Sequence, residues 1–375
     1  MVEQLEYLQH GVPCTADGIA CVGSSCPTHA NGRQQPWISH LLCSVCRSLC
    51  ALSNIQAANS HLALRDFTPA SFLEERFSRF VMSAFFDITH TAHYRYAQTV
   101  VLGEHRVLFR PRDSHDLRVL ATDMQVTPAP VDIRLIQDVY SNSVALVQPQ
   151  SPATELKVVC SFSVEHTGTR ALDFPMSPHA QSFPFLYDPE ERLALVHYLS
   201  PYYDDPNGSL RAWANQFVGQ DGLTGARELL VDMTQFIRNS MQYRARYDQG
   251  VQTPYDTLAW QSGTCRDFAT LMIEAIRQLG YAARFVSGYL YTPWLDSADQ
   301  AGVCAGATHA WVQVYLPGAG WIPFDPTNNL IGGTDLIRVG VARHATLASP
   351  VSGSWHGFPG DFLGMEVDVQ VHKRG

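Results

Sequence analysis

The chain predicts an α+β fold. A small antiparallel β domain precedes a core in which a cysteine sits at a helix N-terminus and a histidine and an aspartate sit on antiparallel strands. Three observations predict it. After Gly263-Thr264-Cys265-Arg266-Asp267, the apolar residues Phe268, Leu271, Met272, Ala275, Ile276 and Leu279 recur along one face of a helix, and Gly280 stands where a helix stops. Thr308 to Tyr315 and Trp321 to Thr327 are strand-like runs about the turn signal Pro317-Gly318-Ala319-Gly320. Between Phe85 and Glu165, short strand-like runs alternate with turn residues, as in an antiparallel β domain.

Ser262 and Thr264 are available as N-caps, so Cys265 falls in or just before the first helical turn. Unpaired backbone N–H groups and the helix dipole favour negative charge there, which draws a thiol toward the thiolate. The same N–H groups suit a developing oxyanion. A lone cysteine is as readily a small buried hydrophobe, and position alone does not separate the two readings.

The hairpin supplies the partners. A three-residue loop pairs Leu316 with Gly320 and sets Trp311 opposite Asp325. His309 then becomes the same-face diagonal neighbour of Asp325, roughly 7–8 Å away by backbone. A two-residue loop puts them on opposite faces. Cysteine, histidine and aspartate in this order, on a helix and then on strands, form a papain-like set of nucleophile, base and orienter.

Four segments together resemble the bacterial transglutaminase-like superfamily: Ser262 to Ala269, Arg284-Phe285-Val286-Ser287-Gly288-Tyr289-Leu290, Thr308-His309-Ala310-Trp311-Val312, and Gly320-Trp321-Ile322-Pro323-Phe324-Asp325-Pro326-Thr327-Asn328. The resemblance implies a papain-like/transglutaminase-like core and Cys265, His309 and Asp325 as its catalytic triad. It also implies that the β region is the family's small N-terminal domain. Asp138-Val139-Tyr140-Ser141-Asn142-Ser143-Val144 resembles that domain's strand-turn motif, with Ser141 where glycine is usual. After Asp335 to Arg343 the pattern departs, since His344-Ala345-Thr346 replaces an Arg-Asp-Tyr-like sequence.

Composition bounds the rest. The chain has 375 residues, 46% hydrophobic and 16% charged, so most of it is expected to fold. Its net charge is −9 and no basic stripe appears, which argues against nucleic acid or an anionic membrane as partner. No apolar run approaches the roughly 20 residues of a membrane span. The first residues lack a basic and an apolar signal region, so a cytoplasmic location is expected. The chemistry needs no cofactor and no metal, and no EF-hand-like loop is present. The expected partner is a protein or peptide substrate; oligomeric state is not legible.

Residues 1–81 stand apart. Six of the nine cysteines lie there (Cys14, Cys21, Cys26, Cys43, Cys46, Cys50), interspersed with His10, His29 and His40. Part of a zinc site, a disulfide set, and an extension that is disordered or starts too far upstream are the readings, the last favoured by the absent periodicity. The β domain is placed at 82–165 and the catalytic domain at 166–375.

Within these bounds, Cys160 lies in an alternating strand and reads as packing, and His90 and His93 fall on opposite strand faces. Residues 166–181 read as a connection. Asp188-Pro189-Glu190-Glu191 starts a helix whose apolar side is Leu193, Val196 and Leu199, ended by Pro201. Ser209 to Phe217 makes a short helix. Ala226, Leu229, Leu230, Met233 and Ile237 stripe a longer one from Gly225 to Met241. Arg244 to Thr253 is a polar loop beside the site. Trp260 and Gln261 are equally candidates for an oxyanion donor and, for Trp260, a core residue. Thr292 to Ala307, with Cys304, reads as a rim loop and lid. Met365 to Val371 alternates as a half-buried terminal strand.

The chemistry expected is cysteine-dependent acyl transfer at an amide, peptide or isopeptide bond, leaning to hydrolysis. Transfer to an amine, as in a transglutaminase, and a non-catalytic binding protein on the same fold are the alternatives.

Overall fold

A computed structural model describes residues 83–168, 172–220, 223–246, 250–292 and 308–374. The N-terminal cysteine cluster and Cys304, with nearly all of its loop, lie outside the described residues.

Alternation governs the first strand. In β1 (Ala84–Val107), Ala84, Phe86, Ile88, His90 and Ala92 point inward while the residues between them stay partly or fully exposed. It is followed by β2 (Leu117–Thr127), β3 (Val131–Gln137), β4 (Ser143–Pro149) and β5 (Ala153–His166). These five run in the spatial order β2-β5-β1-β4-β3, all pairs antiparallel.

The tight turn between β3 and β4 needs a left-handed residue, and Ser141 takes it with φ 62°. The Asp138 carboxylate compensates by accepting from the backbone N–H groups of Tyr140 and Asn142 at 2.9 and 2.8 Å.

Helices follow: α1 (Pro189–Leu199), α2 (Ser209–Ala214), α3 (Ala226–Ser240), α4 (Pro254–Trp260) and α5 (Cys265–Gln278). A second sheet contains β6 (Ala283–Leu290), β7 (His309–Leu316), β8 (Gly320–Asp325), β9 (Leu330–Ile331) and β10 (Leu336–Ala342), in the order β9-β8-β7-β6-β10. The C-terminal β11 (Val351–His356) and β12 (Phe362–Arg374) do not extend that sheet. They return to pair with β1, β12 along Phe85–Tyr96 and β11 along Val101–Val107. Residues 351–374 therefore complete the first sheet, though the chain order groups them with the catalytic segment. They cover a strand edge that would otherwise present unpaired backbone groups.

The core has two large clusters. One lies between α5 and the sheet face carrying Ala310, Val312, Val314, Ile322 and Phe324, with the expected α3 stripe packed against it. The other fills the first sheet and takes Tyr289, Ile337 and Val339 from β6 and β10. Each aliphatic or aromatic side chain so buried contributes about 1.5–3 kcal/mol.

Helix α5 stops as its sequence predicts. Gly280 is left-handed (φ 87°), its N–H reaches the Arg277 carbonyl, and the Tyr281 N–H reaches that of Ile276. This closes a Schellman motif. A buried ion pair also ties α5 down. Arg277 Nη1 lies 2.5 Å from Glu274 Oε1, while Glu274 Oε2 accepts from the N–H groups of Tyr202 and Tyr203.

One expectation fails. In α1 the buried residues are Leu195 and Tyr198, whereas Leu193 and Val196 are 72% and 54% exposed. The aliphatic spacing indicated the wrong stripe. Tyr198 packs edge-on against Trp321 at 5.0 Å, so the amphipathic ring turns the helix.

Candidate active site

The turn that carries Cys265 is built around Asp267. This carboxylate is fully buried. Its Oδ2 accepts from the Thr264 N–H and hydroxyl at 2.8 and 2.9 Å. Its Oδ1 accepts from Arg246 Nη2 and the Gln252 N–H at 2.8 and 2.7 Å. Thr264 is the N-cap and Cys265 the first helical residue. The approach is held by a two-residue parallel ladder, Gln242–Tyr243 against Ser262–Gly263. Gly263 is required there, since a Cβ would sit 2.8 Å from Asp267 Cβ. The polar loop beside the site thus anchors the cysteine turn through Arg246 and Gln252.

The hairpin has its three-residue loop. Leu316 pairs with Gly320 and Val312 with Phe324, with Gly318 and Gly320 at φ 83° and 78°. One more step of this register sets Trp311 opposite Asp325 and His309 on its diagonal, as expected. The side chains close the remaining distance: His309 Nε2 donates to Asp325 Oδ2 at 2.8 Å.

Asp325 is held from behind. Oδ1 accepts from the Thr327 N–H at 2.9 Å, and Oδ2 from Asn328 Nδ2 at 2.8 Å. Asn328 is the residue the sequence reading passed over. Its signal was present, because Asp-Pro-Thr-Asn reads as an Asx-type turn in which aspartate takes the N–H two residues on.

The Cys265 sulfur lies close enough to the His309 imidazole to help hold it in its charged form. Nε2 is committed to Asp325, so Nδ1 faces the sulfur. Nδ1 is buried and makes no regular hydrogen bond among the described residues; catalytic contacts often tighten only when substrate binds. The three residues predicted for the site are thus brought together, from the N-terminus of α5, the start of β7 and the end of β8.

Electrostatics follow from burial. His309 and Asp325 are 1% and 0% exposed, and the Trp311 ring stacks beside His309 with centroids 5.9 Å apart. Burial by itself disfavours the imidazolium. The Asp325 charge, its hydrogen bond and the Cys265 contact outweigh that and raise His309 to about 10. Burial likewise opposes the Asp325 carboxylate. The His309 charge and the donors His309, Asn328 and Thr327 hold it below its ordinary value. Cys160 is the contrast: it is buried in the first sheet, and desolvation pushes its thiol up to about 11.

Trp260 is 61% exposed, so it is not a core residue, and Gln261 beside it is exposed with φ 48°. His90 is buried, bonded through Nδ1 to the Tyr289 hydroxyl, while His93 faces outward to Glu155. Among the described residues, no three or more His, Cys, Asp and Glu side chains group to hold a metal ion, and no helix is long and apolar enough to cross a membrane.

Family models match two segments: the transglutaminase-like superfamily at residues 211–326 and the bacterial transglutaminase-like N-terminal region at 86–165. An uncharacterised protein of Mycobacterium leprae is 26% identical over 286 residues, covering 75% of this chain and 97% of the relative. One from Mycobacterium tuberculosis is 27% identical over 287 residues, covering 71% and 86%. Among solved structures, a candidate cysteine protease from Cytophaga hutchinsonii superposes with a TM-score of 0.55 at 20% identity, covering 77% of this chain and 91% of that one. At that identity the likeness speaks for the fold. With the two segments matched in order and the fold shared, the chain belongs to the transglutaminase-like superfamily, with its bacterial N-terminal region in front of the core.

Proposed function

We propose that the protein is a cysteine-dependent acyl-transfer enzyme acting on an amide, peptide or isopeptide bond of a protein or peptide, with Cys265, His309 and Asp325 as its catalytic triad. The observation that carries this reading is His309, buried between the Asp325 carboxylate and the Cys265 thiol and held toward its charged form.

In this reading the Cys265 proton rests on His309 Nδ1 and the sulfur attacks the substrate carbonyl carbon. The oxyanion that forms meets backbone N–H groups at the start of α5. Collapse breaks the C–N bond, the imidazolium gives its proton to the leaving amine, and an acyl-thioester stays on Cys265. Water, deprotonated by His309, then attacks the thioester and releases the acid. Asp325 keeps the Nε2–H tautomer throughout and steadies the imidazolium. Hydrolysis is the favoured outcome, and a primary amine in place of water gives the transglutaminase outcome.

Intact-mass spectrometry of the protein incubated with a panel of amide donors tests this, with and without a primary amine. An acyl adduct on Cys265 discharged by water supports the hydrolase; faster discharge by the amine assigns transfer instead. No adduct with any donor, together with a thiol that resists iodoacetamide at pH 6, overturns the enzyme reading in favour of a binding protein.

A further inference from the structure

A cavity of about 320 Å³ lies on the face of the second sheet turned away from α5. None of Cys265, His309 and Asp325 lines it. Its charge is lopsided. The guanidinium groups of Arg112, Arg284 and Arg338 border it, against the one carboxylate of Asp116.

Arg338 and Asp116 satisfy each other at 3.2 Å. The other two arginines have no carboxylate within ion-pair distance among the described residues. Arg284 donates through Nε to the neutral Gln313 side chain at 3.0 Å and lies flat on Trp321, 4.0 Å from the ring centroid. Arg112 donates to the Ser141 carbonyl at 3.3 Å.

Desolvation lowers Arg284 to about 10; the Tyr198 hydroxyl, a hydrogen-bond acceptor for the guanidinium, opposes the shift, while Arg338 and Arg112 add to it by like-charge repulsion. At neutral pH it nonetheless stays a cation. A guanidinium held in a low-dielectric wall without a counterion is costly, and the cost is removed by an anion rather than by proton loss. Two imidazoles, His115 and His166, border the same space. Burial keeps His166 neutral, at about 4, and its Nδ1 has no partner among the described residues.

We propose that this cavity is a binding site for a small oxyanion, a carboxylate or phosphate group, taken by Arg284 and Arg112 with Arg338 at its side. Planar guanidinium forks suit either head group, because both present two oxygens at matching spacing. The volume admits a small-molecule anion. The site also adjoins the pair that the acyl-transfer reading uses, since Trp311 lines the cavity and stacks on His309.

Calorimetric titration of the full chain with sodium phosphate, and separately with sodium acetate, at constant ionic strength tests the site. Saturable one-site binding of at least one anion is expected, and the tighter of the two identifies the head group. Arg284→Gln should weaken it roughly tenfold or more, the loss of one charge-assisted fork. Arg112→Gln, at an exposed side chain that leaves the fold intact, should weaken it several-fold. Absence of saturable binding for both anions overturns the proposal, as does an affinity unchanged in Arg112→Gln and in whatever Arg284→Gln folds. The titration needs no turnover, so its failure is distinct from failure of the acyl-transfer reading.

Discussion

His309 Nε2 lies 2.8 Å from Asp325 Oδ2, with both side chains buried; Asn328 Nδ2 donates to the same oxygen and the Thr327 N–H to Oδ1. A carboxylate saturated in this way has one orientation, and it imposes one tautomer on the imidazole. Replacing it by an amide removes the charge and presents an N–H where an acceptor is needed. Asp325→Asn should therefore lower kcat/KM by about three to four orders of magnitude. Thioester formation from an activated amide donor is the measurement; a rate within threefold of wild type would reassign Asp325 to structure.

Cys265 should be separable from the fold. It packs at the first residue of α5 and is 7% exposed. Cys265→Ala removes the sulfur and its contact with His309 but leaves the His309–Asp325 bond in place, so the Tm should fall by no more than a few degrees while acyl-adduct formation disappears. Residual turnover with a normal Tm would remove the nucleophile from the mechanism.

The pH dependence follows from the raised His309 value. Its folded-state value of about 10 lies above the ordinary histidine value of 6.5. Its contribution to stability is therefore complete below about 6.5 and is lost as pH rises through about 10. Asp325 has the opposite sign: lowered in the fold, it contributes above its ordinary 3.8 and loses that as pH falls through its folded value. Urea denaturation from pH 7 to 11 should show a steeper loss for wild type than for His309→Gln. Equal slopes would mean that the buried ring is neutral.

Asp267 is expected to matter to both fold and rate. Asp267→Ala leaves the Thr264 and Gln252 N–H groups and the Arg246 guanidinium without their acceptor. About 3 kcal/mol of unfolding free energy should go, on the scale of a broken buried ion pair. The labelling rate of Cys265 by iodoacetamide should change with it, because the turn that aims the thiol loosens. A variant as stable as wild type would show that the ladder at Ser262–Gly263 holds the turn alone.

Gly288 tests the packing within the second sheet, where β6 runs between β7 and β10. A Cβ there would overlap the Ile337 carbonyl and come 2.7 Å from the Trp311 ring. Gly288→Ala should cost about 1–3 kcal/mol, as overpacking does, by prising β6 from β10. Denaturant midpoints measure it; an unchanged midpoint would mean that β10 shifts without strain.

Local chemistry made much of this legible in advance. The α5 face, its Gly280 stop, the α3 stripe and the Gly-rich hairpin turn each depend on residues close in sequence, so periodicity and turn type carry them. Strand parity placed His309 beside Asp325 for a three-residue loop and apart from it for a two-residue one, and the observed register has the three-residue loop. Only tertiary structure decided the rest. Chain order could not show that β11 and β12 return to β1, since edge pairing is a long-range contact with no local signal. The buried side of α1 depended on Trp321, which is more than 100 residues away. Asp267 appeared as one acid in a helix's first turn until Arg246 and Gln252 were found on it, and Arg284, Arg112 and Arg338 became a charged wall only when separate strands and a loop brought them together. Sequence spacing thus determined each element and the reactive residue types, while the long-range packing determined which charges are buried together.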